Sequence, residues 1–378
     1  MNLLVLNYEY PPLGGGAGEI SRQINKQLVR LGYNITVLTT LYKDLPEDSY
    51  EDGVRIIRLP SKRKVVYKSN VFEMLSWVKL AKRFSIEHIK NNKVDLVFSH
   101  FAIPGGLVAS FINKKLNIPY VIMSHGHDIP WFFPKQMFLY HLLTYFKIHS
   151  ICKKSVYNFV QTEYMKNNID KLLGNKYATK NILITNGFDA DFFNKVEFSK
   201  NEKLEILFVG RLVAQKNPLS LINALQILAV NNVNFNATII GDGPLKNNVS
   251  KLIAKYNLSK FIKLTGWVSK HEIRDCYNKS HVFVLPTLAE GMSIAILEAL
   301  GSGLFVITTP ISGNTELIKN NINGKLVQAY DINGMAKAIS DFNNLRFSNE
   351  YNLDTDSFRN SFCWKNIVAQ YHNYLSKI

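Results

Sequence analysis

Short apolar runs alternating with longer amphipathic stretches constrain this chain more than any other feature. Strand-like runs fall at Leu3–Leu6, Ile35–Thr39, Val94–Phe98, Tyr120–Met123, Asn158–Gln161 and Ile182–Thr185. A polar break at Glu197–Lys203 interrupts them. They resume at Glu205–Val209, Asn236–Ile240, Phe261–Leu264, Val282–Leu285, Phe305–Thr308 and Lys325–Val327. Helical patterns such as Gly18–Leu31, Leu219–Ala229 and Leu245–Lys255 lie between them. A strand joined to the next by a helix of this length pairs in parallel, so the pattern predicts α/β sheets covered on both faces. With 378 residues and about six strands in each half, it predicts two doubly wound, Rossmann-like domains. Their boundary is expected near residue 196, and their strands' C-terminal edges are expected to face each other across a cleft.

Composition narrows the function classes. With 47% hydrophobic and 20% charged residues, the chain is an ordinary globular protein. Cys152, Cys276 and Cys363 share no close spacing, which fits a reducing cytosol and gives no zinc or thiol motif. Met1–Leu6 lacks a basic region and its apolar run ends at Asn7, so no signal peptide is expected. The most apolar segment, Ile294–Ile307, is broken by Glu298, Gly301, Ser302 and Gly303, short of the roughly 20 apolar residues of a membrane span. A cytoplasmic protein is expected, with any membrane contact peripheral.

Four loops carry chemistry. Tyr10–Glu19 leaves the first strand through Gly14, Gly15, Gly16 and Gly18 into a helix, which offers backbone N–H groups to an anion. It fits neither the dinucleotide fingerprint nor a phosphate-binding loop with its lysine. Ser124-His125-Gly126-His127-Asp128 follows a strand directly, and without a third ligand it is a poor zinc set. Contact with a polar substrate and a buried, satisfied histidine both remain open for His125. In the second half, Arg211 and Lys216 stand at a strand end before Pro218, cations suited to a diphosphate. Pro286–Ser293 then leads into a helix over Ile294–Leu300. Its Gly291, Met292 and Ser293 would present N–H groups, and Glu298, about 2.2 helical turns beyond Glu290, could accept from vicinal hydroxyls.

This combination resembles the retaining glycosyltransferases of the family-4, group-1 type, which have the GT-B fold. The resemblance runs over nearly the whole chain. It rests on the early glycine loop, Leu28–Tyr33, His125–Asp128, Thr185–Asp189, Gly210–Leu212 with Lys216, Gly241–Pro244 and the Glu290/Glu298 pair. It implies a nucleotide-sugar donor, most often a UDP-sugar, held mainly by the second domain (197–362), with 363–378 returning to the first (1–196). Arg211 and Lys216 would neutralise the leaving diphosphate, Glu298 would bind the ribose, and Glu290 would meet the transferred sugar. Gly291, Met292 and Ser293 would hold sugar and phosphates through the backbone. His125 would reach the sugar, and Gly15 and Gly16 would pack close to donor and acceptor. No cofactor and no metal are expected; Asp189-Ala190-Asp191 belongs to the turn leaving the first domain. Tyr33 stands where the family often has histidine and is read as structural. Pro310–Glu316 is a looser version of the family's loop, which leaves the place of Glu316 open. The rivals are a GT-B sugar-nucleotide epimerase, a nucleotide-sugar-binding protein without turnover, and an NAD-dependent oxidoreductase.

The net charge of +16 is uneven: residues 1–200 carry 27 basic and 16 acidic groups. Asn70–Lys90 and Pro130–Lys154 mix aromatic and aliphatic residues with lysines, and Lys62, Arg63, Lys64 and Lys68 precede them. Such stretches suit an anionic membrane surface, and with it a lipid-linked or glycan acceptor. Core helices with lysines outside would read the same way. No nucleic-acid-reading motif accompanies the charge, so nucleic acid is not an expected partner.

Overall fold

Two parallel sheets carry the fold, one in each of two units comprising Met1–Asn186 with Trp364–Ile378, and Gly187–Cys363. The structure is a computed structural model describing residues 1–65, 69–132, 134–195, 203–348 and 353–378, with the side chains of 134–136 excepted. Lys68, Phe133 and most of the polar break Glu197–Lys203, including the boundary expected at 196/197, lie outside the described residues. The contacts divide the chain earlier, because Phe188 is fully buried with the second unit's core.

The first unit runs β1 (Asn2–Leu6), α1 (Gly16–Arg30), β2 (Asn34–Thr40), β3 (Asp48–Glu51), β4 (Val54–Leu59), α2 (Val71–Asn91) and β5 (Leu96–His100). It continues with α3 (Gly106–Leu116), β6 (Tyr120–Met123), α4 (Pro134–Lys154), β7 (Asn158–Val160), α5 (Glu163–Leu173) and β8 (Asn181–Leu183). Its sheet has eight strands in the order β3-β4-β2-β1-β5-β6-β7-β8. Only β3 runs antiparallel. The apolar pattern missed β3 and β4, although Asp52-Gly53 between them carried a hairpin signal. Both residues adopt positive φ, 51° and 79°, as that two-residue turn requires. Asn70 starts α2 through a capping box, accepting from the Glu73 amide at 2.9 Å while the Glu73 carboxylate accepts from the Asn70 amide at 3.2 Å.

The second unit runs β9 (Leu204–Val209), α6 (Pro218–Val230), β10 (Phe235–Ile240), α7 (Lys246–Lys255), β11 (Ile262–Gly266), α8 (Lys270–Lys279) and β12 (Val282–Leu285). Then come α9 (Ile294–Gly301), β13 (Phe305–Thr308), α10 (Asn314–Leu317), β14 (Gly324–Leu326), α11 (Ile332–Leu345) and α12 (Thr355–Phe362). The sheet order is β11-β10-β9-β12-β13-β14, all parallel. Leu204, Ile206, Leu207 and Phe208 of β9 are all buried, as expected of a central strand covered on both faces. In both sheets the chain reverses its winding beside the first strand, at β1 and at β9. Loops leaving such a strand open into the crevice where doubly wound sheets take ligands.

The last helix, α13 (Trp364–Leu375), packs on α1 within the first unit. Tyr33 has the structural role expected of it, with its hydroxyl 2.8 Å from Nδ1 of His372. Arg63, counted above among the surface cations, is instead buried. Its guanidinium lies over the Tyr8 ring and 3.4 Å from the Glu9 carboxylate.

Gly301 ends α9 against the ring of Phe188, and a Cβ there would overlap that ring. Gly301→Ala should therefore destabilise the second unit by about 1–3 kcal/mol, outweighing the roughly 1 kcal/mol that alanine gains in a helix. Urea denaturation followed by circular dichroism would read this as a lower midpoint.

Candidate active site

In the second unit the strand order sets which loops touch. β9 lies between β10 and β12, so the loop after β9 meets the loops after both neighbours. On the β10 side, Leu212 donates its amide to the Asp242 carbonyl at 2.8 Å, and the Leu245 amide donates to the Leu212 carbonyl at 2.9 Å. The backbones approach so closely that a Cβ on Gly241 would overlap the Gly210 carbonyl, and Gly241 adopts φ 141°.

On the β12 side the stitching includes side chains. The Leu288 amide and the Thr287 hydroxyl both donate to the Gln215 carbonyl, at 2.7 and 3.0 Å. The Gln215 amide in turn donates to the Ala289 carbonyl at 2.6 Å. This frame brings Lys216 into an ion pair with Oε1 of Glu290, the two side chains 15% and 13% exposed. The Thr287 hydroxyl lies 3.2 Å from the same oxygen and shares its one hydrogen between it and the Gln215 carbonyl. Arg211 remains exposed at the end of the strand. Read from sequence, Lys216 and Glu290 have separate duties; the structure pairs them.

Glu290 precedes the helix, as expected of the segment Pro286–Ser293, so its eight-residue spacing to Glu298 is not a count of helical turns. α9 begins at Ile294, so Gly291, Met292 and Ser293 are a loop over its first turn. No side chain caps that turn. Met292 and Ser293 are buried, and Gly291 is pinned by Gly313 of the next loop, where a Cβ would overlap the Gly291 carbonyl. Glu298 lies one turn into α9, half-buried, and its carboxylate accepts from the Tyr277 hydroxyl at 3.3 Å. Burial and the neighbouring Glu298 push the Tyr277 hydroxyl well up, so it stays protonated and donates. In the looser loop, Glu316 is exposed and Asn314 does the structural work. Asn314 donates to the Thr308 hydroxyl at 2.9 Å and the Thr309 carbonyl at 3.1 Å. Asp189 accepts from the Phe192 amide at 3.2 Å and lies 3.6 Å from Lys270.

In the first unit, the glycines of the first loop divide by role. A Cβ on Gly14 would lie 2.7 Å from the Glu9 side chain and one on Gly18 would lie 2.9 Å from the Glu9 carbonyl. A Cβ on Gly15 would meet nothing within 4 Å. The protein's own packing therefore does not require Gly15 to be small. Gly15 caps α1 and Gly16 is its first residue.

His125 sits at the end of β6 between two side chains. Its Nδ1 is 3.0 Å from the Gln161 amide and its Nε2 is 3.0 Å from Nδ1 of His100. Burial, then the neighbouring His127, pushes it down to about 3, and burial likewise lowers His100 well below the usual histidine range. Both rings are neutral near pH 7, so each His–His contact has one donor. If Gln161 donates to His125, the chain of donors ends on Nε2 of His100, a buried atom without a partner. Turning the Gln161 amide reverses the chain and leaves a bare lone pair there, the cheaper arrangement. Asp128 fixes the loop: its buried carboxylate accepts from the Ala102 amide at 2.9 Å and the His125 amide at 3.0 Å.

Comparison with known proteins places these loops. The family "Glycosyltransferase Family 4" matches residues 14–192, and "Glycosyl transferases group 1" matches residues 189–353. The two overlap at residues 189–192, and together they take in every loop described above. The chain belongs to these glycosyltransferases. An *Escherichia coli* relative is 28% identical over 354 residues, covering 89% of this chain and 86% of its own. It is named UDP-Gal:alpha-D-GlcNAc-diphosphoundecaprenol alpha-1,3-galactosyltransferase. Sucrose-phosphate synthase from *Thermosynechococcus elongatus* matches the fold with a TM-score of 0.81 at 17% identity, over 100% of this chain and 98% of its own. *Anabaena* HepE, solved with UDP and glucose, matches with 0.76 at 18% over 100% of both chains. Both structures share the GT-B fold.

For this glycosyltransferase, the residues singled out from sequence fall into one group in each unit. Arg211, Lys216, Glu290, Gly291, Met292 and Ser293 lie on adjoining loops of the second and Glu298 in the helix that follows, while Gly15, Gly16 and His125 lie at the C-terminal edge of the first sheet. Gln215, Thr287, Tyr277, His100 and Gln161 support them and were missed. Thr287 was within a quoted motif, but nothing in the sequence marked Tyr277 or Gln161. Among the described residues, no three His, Cys, Asp or Glu side chains are grouped to hold a metal ion.

The lowered histidines give stability a pH dependence. Between the ordinary histidine value near 6.5 and about 3, the unfolded chain binds more protons than the folded one. Stability is therefore full above that window and falls as pH falls through it. Urea midpoints taken from about pH 7 to about pH 4 should decline, and less steeply in His100→Gln/His125→Gln.

Proposed function

We propose that this glycosyltransferase moves a hexose from a UDP-sugar to a glycan or lipid-linked acceptor in cell-surface polysaccharide assembly, with retention at the anomeric carbon and without a metal. The observation that carries the reading is the pairing of exposed Arg211 with Lys216, the latter held by Glu290, at the winding reversal of the second sheet. Two cations there suit the diphosphate, and the frame of Gln215 and Thr287 keeps Lys216 in place. The *E. coli* relative's named donor and acceptor, and the UDP bound by HepE, support the same class of substrate.

On this reading the bond from the anomeric carbon to the diphosphate oxygen breaks. The acceptor oxygen bonds to the same face, and its proton passes to the departing diphosphate. Arg211 and Lys216 stabilise the charge that develops on that leaving group, a task a metal performs elsewhere. Lys216 has three donors and can bridge Glu290 and a phosphate oxygen. Glu290 meets sugar hydroxyls as well, and the backbone at Gly291, Met292 and Ser293 takes sugar and phosphate oxygens. Glu298, oriented by Tyr277, binds the ribose. Both ring nitrogens of His125 are engaged by Gln161 and His100, so it would meet the sugar by exchanging one of these partners, and its lowered pKa makes it no acid at neutral pH. Gly15 and Gly16 leave room for close approach.

Nucleotide release from UDP-, GDP- and ADP-sugars, with and without EDTA, tests this reading. One UDP-sugar should be cleaved in both conditions, and Arg211→Ala or Lys216→Ala should lower turnover about 10²–10³-fold while the protein stays folded. Wild-type turnover in either variant would remove the diphosphate assignment. Failure to bind any nucleoside diphosphate would sink the proposal. Conversion of the donor sugar without acceptor would instead favour an epimerase.

A further inference from the structure

α4 has two apolar faces, and only one is used. His141, Ile148, Ile151 and Cys152 turn inward and are buried. Phe138, Leu139, Leu142, Leu143 and Phe146 recur at positions that share the opposite side of the helix, and they are between 62 and 84% exposed. Five large apolar side chains on one exposed helix face are more than a water-facing surface ordinarily carries. α2 adds to them: its exposed residues from 71 to 83 are Val71, Phe72, Leu75, Lys79 and Arg83, with Phe72 82% exposed.

The topology puts these side chains on one edge. α2 and α4 both pack against α3, on one face of the sheet. Each follows a strand and leads to another parallel one, so each begins at the strands' C-terminal edge. The apolar residues fill the first turns of α2 and the first two-thirds of α4. They therefore start at the edge that carries Gly15 and the His125–Asp128 loop and continue back along the two helices.

Charge selects the occupant. No Asp or Glu occurs between Asp128 and Glu163, and Lys147 stands exposed next to Phe146. Lys62 and Lys64 are exposed just ahead of α2, while Glu73 in its first turn is buried by the capping box. Lys79 and Arg83 follow one and two turns behind Leu75. A second copy of this chain would bring its own lysines against these. It would also need about 20–30 residues a side for a stable interface, where this face offers eight apolar ones. Apolar side chains with cations set behind them match the acyl boundary and headgroup phosphates of a bilayer.

We propose that this α2–α4 face docks the enzyme on an anionic lipid surface. Trp77, Phe132 and Arg63, which the sequence grouped with it, are buried and take no part. Docking would present the first unit's site loops to an acceptor carried in that surface. For the acceptor the inference rests on the proposed function; for the docking it does not.

Cosedimentation of the full chain with vesicles of phosphatidylcholine, alone or mixed with phosphatidylglycerol, tests it. The wild type should partition onto the mixed vesicles, and the combined Phe138→Ser, Leu142→Ser and Phe146→Ser variant should bind about tenfold less or weaker. Donor hydrolysis in solution should be unchanged in that variant, since all three side chains are exposed. Lys62→Glu, Lys64→Glu and Lys147→Glu together should erase the preference for the anionic lipid. A serine variant that sediments like the wild type overturns the proposal. So does a wild-type dimer in light scattering that the variant dissolves, which would make a second copy the partner. Vesicle binding without cleavage of any sugar nucleotide would instead count against the proposed function alone.

Discussion

Parallel pairing is the constraint on which everything else here depends. When every strand but β3 runs the same way, all the loops that leave strands gather on one edge, and helices must return the chain to the other. Strand order then decides which loops are neighbours. Because β9 is flanked by β10 and β12, the segments around Arg211, Asp242 and Glu290 adjoin although they are far apart in the chain. The glycines at 241 and 313 have the same origin: neighbouring loops come so close that no side chain fits between them.

Within that edge the Lys216–Glu290 pair deserves a physical reading. Partial burial of both side chains costs hydration, and an ion pair of this kind stabilises a fold little, if at all. Its value lies in position. Held by Glu290, with Gln215 and Thr287 fixing the backbone around it, the ammonium would lose less freedom on meeting the proposed diphosphate. Removing Glu290 would leave a largely buried cation without its carboxylate partner, so the two residues are linked energetically.

The first unit solves a related problem without charge. Two neutral histidines and an amide form a short relay, with Asp128 anchoring the backbone around it. Desolvation keeps His125 neutral, so the relay carries no charge at neutral pH. The uncovered apolar residues of α2 and α4 start from the same edge of this unit and run back along the helices.

The sequence by itself determined the α/β class, all six strands of the second sheet to within two residues, and the motif loops at the strand ends. Periodicity and the strand–helix alternation are local, so they survive in one dimension. It missed β3 and β4, where a short polar strand is recognisable only by its Asp52-Gly53 turn. Tertiary structure alone joined Lys216 to Glu290, 74 residues apart, and gave Glu298 its Tyr277 partner. It also separated side chains that composition could not tell apart. Trp77 is buried and Phe72 exposed on one helix, and Arg63 is buried while Lys62 and Lys64 are exposed. An apolar pattern says that a helix has a face to cover; which residues are covered depends on the neighbours that the fold supplies.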